Sequence, residues 1–199
     1  MRTFIAIELP PAARAQVQRR QEQVRARLAA QGLADVFRWT PVEQMHLTLR
    51  FLGETTSAQQ AQLAARLAAV VVGYGPFGLT VSGVGCFPRW QAPRVLWLGI
   101  QGASQALGAL QAEVEQAAQE VGFVPEERPF SPHLTIARLQ RQADRQAQRR
   151  AGEILAALAA RGEPPGIPWP VQEIVHMRSD LRPGGPIYTV LETFRLQAP

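Results

Sequence analysis

The tetrad His-Leu-Thr-Leu at residues 46–49 recurs as His-Leu-Thr-Ile at residues 133–136, and this repeat predicts the fold. The two copies start 87 residues apart (133 minus 46), each lies shortly after a proline, and a polar helical stretch follows each. Side chains of a strand alternate between its faces, so each tetrad presents one imidazole and one hydroxyl on one side and two aliphatic anchors on the other. The chain is therefore predicted to consist of two similar halves.

Each half is predicted to run strand–helix–strand–helix–strand. Alternating or apolar runs predict strands near residues 2–8, 45–52, 77–84, 94–100, 132–138, 171–178 and 187–196. Amphipathic runs predict helices over about 11–30, 57–72, 104–121 and 143–158. Helices with one apolar stripe cover one face of a sheet, which leaves the opposite sheet faces to line a cleft.

Start and stop signals support these boundaries. Pro10 and Pro11 open the first helix, Ser57 with Gln60 predicts a capping box for the second, and Ser104 is the predicted cap of the third. The Gly/Pro-rich stretch 87–93 is the predicted join between the halves. The stretch 162–170 contains four prolines and is predicted to be irregular.

The basic residues are all arginine, and their number exceeds that of the acids. The chain has 21 basic and 16 acidic residues, a formal net charge of +5, and no lysine. A basic surface favours phosphate-bearing partners, although a genomic preference for arginine codons would produce the same composition. The missing lysine excludes a lysyl–nucleotide intermediate and a Walker A phosphate loop, because both need a lysine side chain.

The remaining composition points to a cytoplasmic protein. No apolar run approaches the roughly 20 residues that span a bilayer, and Glu8 interrupts the apolar N-terminal stretch before a signal peptide would be complete. The single cysteine, Cys86, cannot form an internal disulfide. We expect no membrane association.

The two tetrads suit phosphodiester chemistry. If the halves face each other, one neutral histidine of the pair His46 and His133 would take a proton from attacking water, and the other, protonated, would give one to the leaving oxygen. The hydroxyls of Thr48 and Thr135 would donate to non-bridging phosphate oxygens. This scheme needs no metal and no cofactor, and each His-x-Thr pair offers only one good zinc ligand.

Further segments carry a family resemblance. These are residues 2–7 (Arg-Thr-Phe-Ile-Ala-Ile), Arg38-Trp39, Phe51-Leu52-Gly53, Arg128-Pro129-Phe130, Ser179-x-Leu181 and Tyr188. With the tetrads, they resemble the bacterial and archaeal 2′-5′ RNA ligase / RNA 2′,3′-cyclic phosphodiesterase family, within the two-histidine phosphoesterase superfamily. The resemblance covers essentially the whole chain.

The resemblance implies an α+β fold, a bilobal duplication of a β-α-β-α-β unit in which two antiparallel sheets line a central groove and helices lie outside. We accordingly expect one two-lobed phosphoesterase domain over residues 1–199, with pseudo-repeats at about 1–88 and 93–199. An internally duplicated site needs no second subunit, so we expect a monomer.

The resemblance also implies an activity, which opens a terminal 2′,3′-cyclic phosphate of RNA to a 2′-phosphate. It also implies a reversible, ATP-independent 2′-5′ ligation, which joins a cyclic-phosphate end to a 5′-hydroxyl end. Carried over by role, His46 is the general acid and His133 the general base, while Thr48, Thr135 and Arg138 bind the phosphate. The sequence alone does not decide which histidine is the acid, and it does not name the RNA, for which fragments of transfer RNA are one candidate.

Several other residues allow a functional and a structural interpretation. Arg138 is either a bidentate phosphate ligand or a solvated arginine at a strand end, and Arg50 has no assigned part. Arg141, Arg145 and Arg149 share one helix face, with Arg150 beside it, which is typical of RNA contact or of a solvated surface. Five aromatic residues near the predicted groove would either stack on a base or pack in the core: Trp39, Phe51, Phe87, Trp90 and Phe130. His176 has arginine rather than threonine two residues later and is predicted to be structural.

Two rival functions remain open at this point. A protein that binds phosphate-terminated RNA ends without turning them over would use the same basic groove, although arginines would serve binding as well as histidines do. An enzyme acting on another small cyclic nucleotide, or on an internal 2′-5′ linkage, would use the same residues.

Overall fold

The computed structural model describes residues 1–162, 164–182 and 185–197. Its helices are α1 (Pro11–Ala29), α2 (Ser57–Val71), α3 (Ser104–Glu120) and α4 (Arg145–Ala159). Its strands are β1 (Arg2–Glu8), β2 (Phe37–Trp39), β3 (His46–Glu54), β4 (Phe77–Phe87), β5 (Val95–Gln101), β6 (His133–Leu139), β7 (Ile167–Val171), β8 (Glu173–Arg182) and β9 (Gly185–Arg195). None of the helices within the described ranges has both the length and the apolarity to cross a bilayer.

The strands form two antiparallel sheets. The four-stranded sheet has the order β3-β1-β8-β9, and the five-stranded sheet has the order β2-β6-β5-β4-β7. Each sheet contains one tetrad strand, β3 or β6, and each draws strands from both halves of the sequence. The predicted α+β fold with two antiparallel sheets is confirmed.

The helices cross between the sheets. Helix α1 follows β1 of the four-stranded sheet, yet Gln21 of α1 donates to the carbonyl of Ile136 in the five-stranded sheet. Helix α3 follows β5 of the five-stranded sheet, yet it packs against β3 of the other. Helix α4 packs against α1, and α2 packs against α3. Two helix pairs, α1/α4 and α2/α3, therefore cover the outer faces of the two sheets.

One apolar core connects the sheets and their helices. It includes Ile5, Ile7 and Leu47 of the four-stranded sheet and Leu98, Leu134 and Trp169 of the five-stranded sheet. A smaller cluster of Phe4, Ala6, Val175 and Met177 lies on the other face of the four-stranded sheet, with Tyr188 packed against it. Phe4 and Ala6 of β1 thus lie on the face that carries His46 and Tyr188, whereas Ile5 and Ile7 face the main core.

The prediction that residues 162–170 are irregular was wrong at its C-terminal end. Residues Ile167–Val171 form β7, which pairs with β4 and lies at the edge of the five-stranded sheet. Pro168 and Pro170 are exposed, whereas the three alternate residues are buried. Proline is tolerated there because an edge strand leaves every second N–H unpaired. The three-residue strand β2 was not predicted, since it is too short to show a period.

Two predicted helix caps were displaced by one residue. The capping box of α2 joins Thr56 and Gln59, not Ser57 and Gln60, and has both reciprocal bonds. Helix α3 starts after Ala103, which has a φ of 34° and makes no side-chain cap, so Ser104 is the first helical residue. In both cases the first helical residue was mistaken for the cap that precedes it.

Candidate active site

Both tetrads face one groove between the sheets. The groove has a volume of about 1030 Å³. Every site residue predicted from the sequence lines it: His46, Thr48, His133, Thr135 and Arg138. The strands β3 and β6 thereby bring together side chains that are far apart in the sequence.

His46 is held by its backbone and by two aromatic rings. Its Nδ1 lies 2.9 Å from the carbonyl oxygen of Gln44. A carbonyl can only accept, so Nδ1 carries a proton and Nε2 is the nitrogen available to a ligand. The ring centroid lies 4.7 Å from that of Phe4 and 5.1 Å from that of Tyr188, which meets it edge-on.

His133 repeats this arrangement. Its Nδ1 lies 2.7 Å from the carbonyl oxygen of Ser131, again two residues upstream. Phe87 meets the ring edge-on at 4.9 Å, and Trp97 lies at 6.3 Å. The two imidazoles therefore have the same tautomer and leave the same nitrogen free.

Burial lowers the pKa of both groove imidazoles and so favours their neutral form. Desolvation lowers the pKa of His46 to about 4; the bond to Gln44 opposes this shift, and the charge of Arg138 adds to it. Desolvation also lowers the pKa of His133, opposed by the bond to Ser131 and assisted by Arg138. An anion bound between them would raise both pKa values, because it favours the charged form.

A β-bulge follows the threonine in each tetrad. In β3, Thr48 pairs with Ala6 and Arg50 with Ile5, so Leu49 is the extra residue. In β6, Thr135 pairs with Trp97 and Ala137 with Leu96, so Ile136 is extra. The bulges lie 87 residues apart (136 minus 49), as the tetrads do, and each reverses the alternation of the residues that follow it.

The bulge in β6 explains how Arg138 reaches the groove. Arg138 lies five residues after His133, and in a regular strand an odd spacing would turn it to the opposite face. The extra residue Ile136 returns it to the side of His133 and Thr135. The residue equivalent to Arg138 in β3 is Phe51, which also lines the groove and is 56% exposed.

A glutamine from a crossing helix binds the carbonyl of each bulge residue. Gln21 of α1, which is 8% exposed, donates its Nε2 hydrogens to the carbonyls of Ile136 at 2.8 Å and Thr40 at 2.7 Å. Gln111 of α3 donates to the carbonyl of Leu49 at 3.4 Å. These contacts had no signal in the sequence, because nothing marks which helix will cross to which sheet.

Arg38 also lines the groove, although the sequence indicated it only as part of the family resemblance and assigned it no role. It pairs directly with Arg138 across β2 and β6. Its guanidinium also approaches Gly185 of the other sheet. A side chain at that position would place its Cβ 3.7 Å from Nη1 of Arg38. Neither arginine has an ion-pair partner among the described residues. Like charges directly opposite on a sheet are unfavourable, so two unpaired arginines there favour an anionic ligand.

Arg50 has a structural environment instead. The bulge moves it toward α3, where its Nε lies 2.6 Å from Oε2 of Glu115. It also lies 3.8 Å from Glu126 and donates to the carbonyls of Phe51 and Val124. Arg50 is 7% exposed, and its contacts connect the segment after α3 to β3.

The remaining candidates divide between the groove and the core. Trp39, Phe51, Phe87 and Phe130 line the groove, and Phe51 is the most exposed of them. Trp90 is outside the groove lining, and its carbonyl packs against Gly152 of α4. His176 is 2% exposed on β8 and also lies outside the groove lining, with burial lowering its pKa. Among the described residues no three His, Cys, Asp or Glu side chains converge as metal ligands would.

Comparison with known proteins gives a consistent result. The sequence profile of the 2′-5′ RNA ligase superfamily matches residues 9–183. A protein of Thermotoga maritima named RNA 2′,3′-cyclic phosphodiesterase is 34% identical over 191 residues, covering 96% of this chain and 93% of its own length. A protein of Thermus thermophilus with the same name is 36% identical, covering 99% of this chain and 91% of its own.

Solved structures agree with the fold. A crystal structure of a Thermus thermophilus protein superposes with a TM-score of 0.79 at 29% identity, covering 99% of this chain and 98% of that one. Escherichia coli LigT complexed with 3′-AMP superposes with a TM-score of 0.70 at 25% identity and the same coverage.

Proposed function

Since the chain belongs to the 2′-5′ RNA ligase superfamily, we propose that it is an RNA 2′,3′-cyclic phosphodiesterase that opens the terminal cyclic phosphate to a 2′-phosphate. Relatives of similar length carry that name. We further propose a single two-lobed domain that acts as a monomer, since both tetrads of one chain line the same groove, and we expect it in the cytoplasm.

The observation that carries the proposal is the matched pair of imidazoles. Each has Nδ1 bonded to a carbonyl two residues upstream, and each leaves Nε2 free in the same groove. A ring fixed in one tautomer presents the same nitrogen whether it accepts or donates a proton there. Two such rings provide a base and an acid for one reaction.

The proposed step is an in-line displacement at phosphorus. His133 accepts a proton from water at Nε2 while the water oxygen attacks phosphorus. The bond from phosphorus to O3′ breaks, and His46 gives its Nε2 proton to O3′. The products are a 2′-phosphate and a 3′-hydroxyl, and one proton has moved from water to O3′ overall.

The other groove residues would stabilise the phosphate. Neither Thr48 nor Thr135 has a hydrogen-bond partner for its hydroxyl within the part of the chain that the structure describes. Each is free to donate to a non-bridging oxygen, and Arg138 would bind the charge that grows in the transition state. Arg38, paired with Arg138 across the strands, would add to this positive field.

The direct test uses a nucleoside or short RNA with a 2′,3′-cyclic phosphate, in EDTA. The wild type should turn it over, and the product should be a 2′-phosphate, as identified by phosphorus NMR. His46→Gln or His133→Gln should lower kcat by about 10²–10⁴-fold, because one proton transfer is lost.

His176→Gln is the matched control, since it removes a histidine outside the groove and should retain activity in the folded fraction. A requirement for added metal, or wild-type rates in either groove variant, would contradict the proposal. A 3′-phosphate product would mean that the bond from phosphorus to O2′ breaks instead, with the acid imidazole facing O2′. Tight binding of the cyclic end without any product would favour an RNA-end-binding protein, and faster turnover of another small cyclic nucleotide would favour a different substrate.

Ligation would be the same displacement with the 5′-hydroxyl of a second strand in place of water: His133 accepts the proton of that hydroxyl, the P–O3′ bond breaks, and His46 gives its proton to O3′. A volume of about 1030 Å³ is at the upper limit of pockets for small ligands, which leaves room for more than one nucleotide. We expect a 2′-5′ linkage to form slowly, without ATP, from a cyclic-phosphate end and a 5′-hydroxyl end.

A further inference from the structure

The two helix pairs carry opposite charge. Helix α1 contains five arginines and one glutamate, and residues 141–161 contain five arginines and two acids, so this layer has a net charge of +7. On the other layer, residues 54–71 and 104–127 contain one arginine and six glutamates, a net charge of −5. The overall charge of +5 is therefore concentrated behind the five-stranded sheet.

Part of this positive charge is continuous with the groove. Strand β6 leaves the groove at Arg138, and the backbone N–H of the next residue, Leu139, donates to the carbonyl of Arg94 at 2.8 Å. A short turn then leads to α4. Three exposed arginines lie along this route, and we call them the arginine track: Arg94, Arg141 and Arg145.

The arginines of the track lack the carboxylate partners that arginines beside the α2/α3 helix pair have. On the α2/α3 side, Arg66 lies 2.7 Å from Glu120, and Arg50 is bound by Glu115. None of the track arginines forms an ion pair with a described carboxylate. An ordinary solvated helix face mixes both signs, whereas a run of uncompensated arginines beside a phosphate site resembles a nucleic-acid surface.

The groove lining also favours this exit for a polyanion. Arg38 and Arg138 lie where β2 and β6 meet, next to the track, whereas Glu115 and Glu126 line the groove around Arg50. A strand whose last phosphate lies between the histidines must leave the groove somewhere. Leaving past the arginines avoids Glu115 and Glu126, although Asp144 lies between Arg141 and Arg145.

We propose that the arginine track binds backbone phosphates of the RNA strand on the 5′ side of its cyclic-phosphate end. The proposal rests on the proposed function, and it makes a polynucleotide, rather than a mononucleotide, the substrate class. Guanidinium groups suit this role because they stay charged and bind phosphate through two hydrogen bonds. The contacts are to the backbone and so are independent of base sequence.

The test compares two substrates in one triple variant, R94Q/R141Q/R145Q. A 12-nucleotide RNA with a 2′,3′-cyclic phosphate end should lose about tenfold or more in kcat/KM at roughly 0.1 M salt. The slope of log kcat/KM against log salt should become shallower by about two, as expected for three lost contacts to a single strand. A mononucleotide 2′,3′-cyclic phosphate does not reach the track, so its kcat/KM should change by less than about twofold.

The matched control is R2Q/R66Q/R195Q, which removes the same charge from residues that do not line the groove. It should leave both substrates near wild type. Equal losses for both substrates in the track variant, or an equal loss for the oligonucleotide in the control, would overturn the proposal.

Binding separates this proposal from the proposed function. If the wild type turns over neither substrate, the proposed function fails. Fluorescence anisotropy with the 2′-phosphate oligonucleotide then still reports on the track, where about tenfold weaker binding of the track variant than of the control is the expected result. Unchanged affinity would overturn the track irrespective of turnover.

Discussion

A carbonyl oxygen two residues upstream determines the tautomer of each groove imidazole. Because Gln44 and Ser131 accept from Nδ1, the chemistry at Nε2 does not depend on a buried carboxylate. Burial then shifts the pKa of both groups in one direction, toward the neutral form. The free protein is thus poised with two bases, and one of them must gain a proton when the anionic substrate binds.

The pH dependence should follow from this shift. Catalysis needs one neutral and one charged imidazole, and in the free protein both pKa values lie below the usual 6.5, that of His46 at about 4. The value of kcat/KM should therefore fall as pH rises from the acid into the neutral range, because His46 loses its proton near pH 4 and His133 loses its own below the usual 6.5. A bound phosphate would raise both pKa values, so kcat should have its optimum at a higher pH than kcat/KM.

Single-turnover measurement between about pH 4.5 and 8.5 checks this, because product release then does not contribute. The pH profile of H176Q should match that of the wild type. Coincident optima for kcat and kcat/KM would show that the phosphate does not interact with the two rings.

At the scale of elements, the bulges at Leu49 and Ile136 decide which residues share the groove face. A crossing helix supplies the amide that binds each bulge carbonyl, Gln21 in one case and Gln111 in the other. The shorter bond belongs to Gln21, beside the strand that carries Arg138. Helix α1 is thus connected to the phosphate site by one side chain.

We predict that Gln21→Leu will weaken both the fold and the site. The substitution leaves the carbonyl of Thr40 without the Gln21 donor, which should lower the free energy of unfolding by about 1–3 kcal/mol. It should also lower kcat/KM of the folded protein about tenfold by releasing the bulge, as judged by steady-state kinetics at a temperature where the variant is fully folded.

A double-mutant cycle separates positioning from general loss of stability. If Gln21 acts through Arg138, the losses in Q21L and R138Q will not add in the double variant. Gln18→Leu, on the exposed side of α1, should change neither quantity. Additive losses would mean that Gln21 supports only the fold.

At the scale of the whole molecule, the two sheets share one core and are joined by exchanged helices. A further link is Trp169 of β7, whose indole N–H donates to the carbonyl of Glu8 in β1 at 3.1 Å. Trp169 is 1% exposed and belongs to the core that the two sheets share.

The molecule should therefore unfold in a single transition. Urea unfolding followed by circular dichroism and by tryptophan fluorescence should give coincident curves. Trp169→Phe removes the inter-sheet bond and some packing, and should lower the free energy of unfolding by about 1–3 kcal/mol without splitting the transition. Trp90→Phe is the comparison, because its indole N–H has no partner among the described residues. Two separate transitions would contradict a single domain.

Local rules were sufficient for part of this protein. The repeated tetrads, the alternation of strands and the apolar stripes of helices predicted two sheets with helices on one face of each. The resemblance in short motifs predicted the antiparallel α+β fold and the family, and both are confirmed. Side-chain alternation also predicted that His46 and Thr48 share a face, as do His133 and Thr135. These features depend on neighbours within a few residues, which a sequence displays directly. The catalytic roles of these residues, with His46 as acid, stay predictions.

Tertiary contacts decided the rest. In a regular strand the odd spacing between His133 and Arg138 would turn Arg138 away from the groove. The extra residue Ile136 reverses this, and its carbonyl is bound by Gln21 of a helix from the other half of the chain. Strand β7 forms despite its prolines because its place at an edge leaves their nitrogens without a required partner. Arg38 joins Arg138 only when β2 pairs with β6. In each case the deciding partner is remote in sequence, so no local pattern of residues could indicate it.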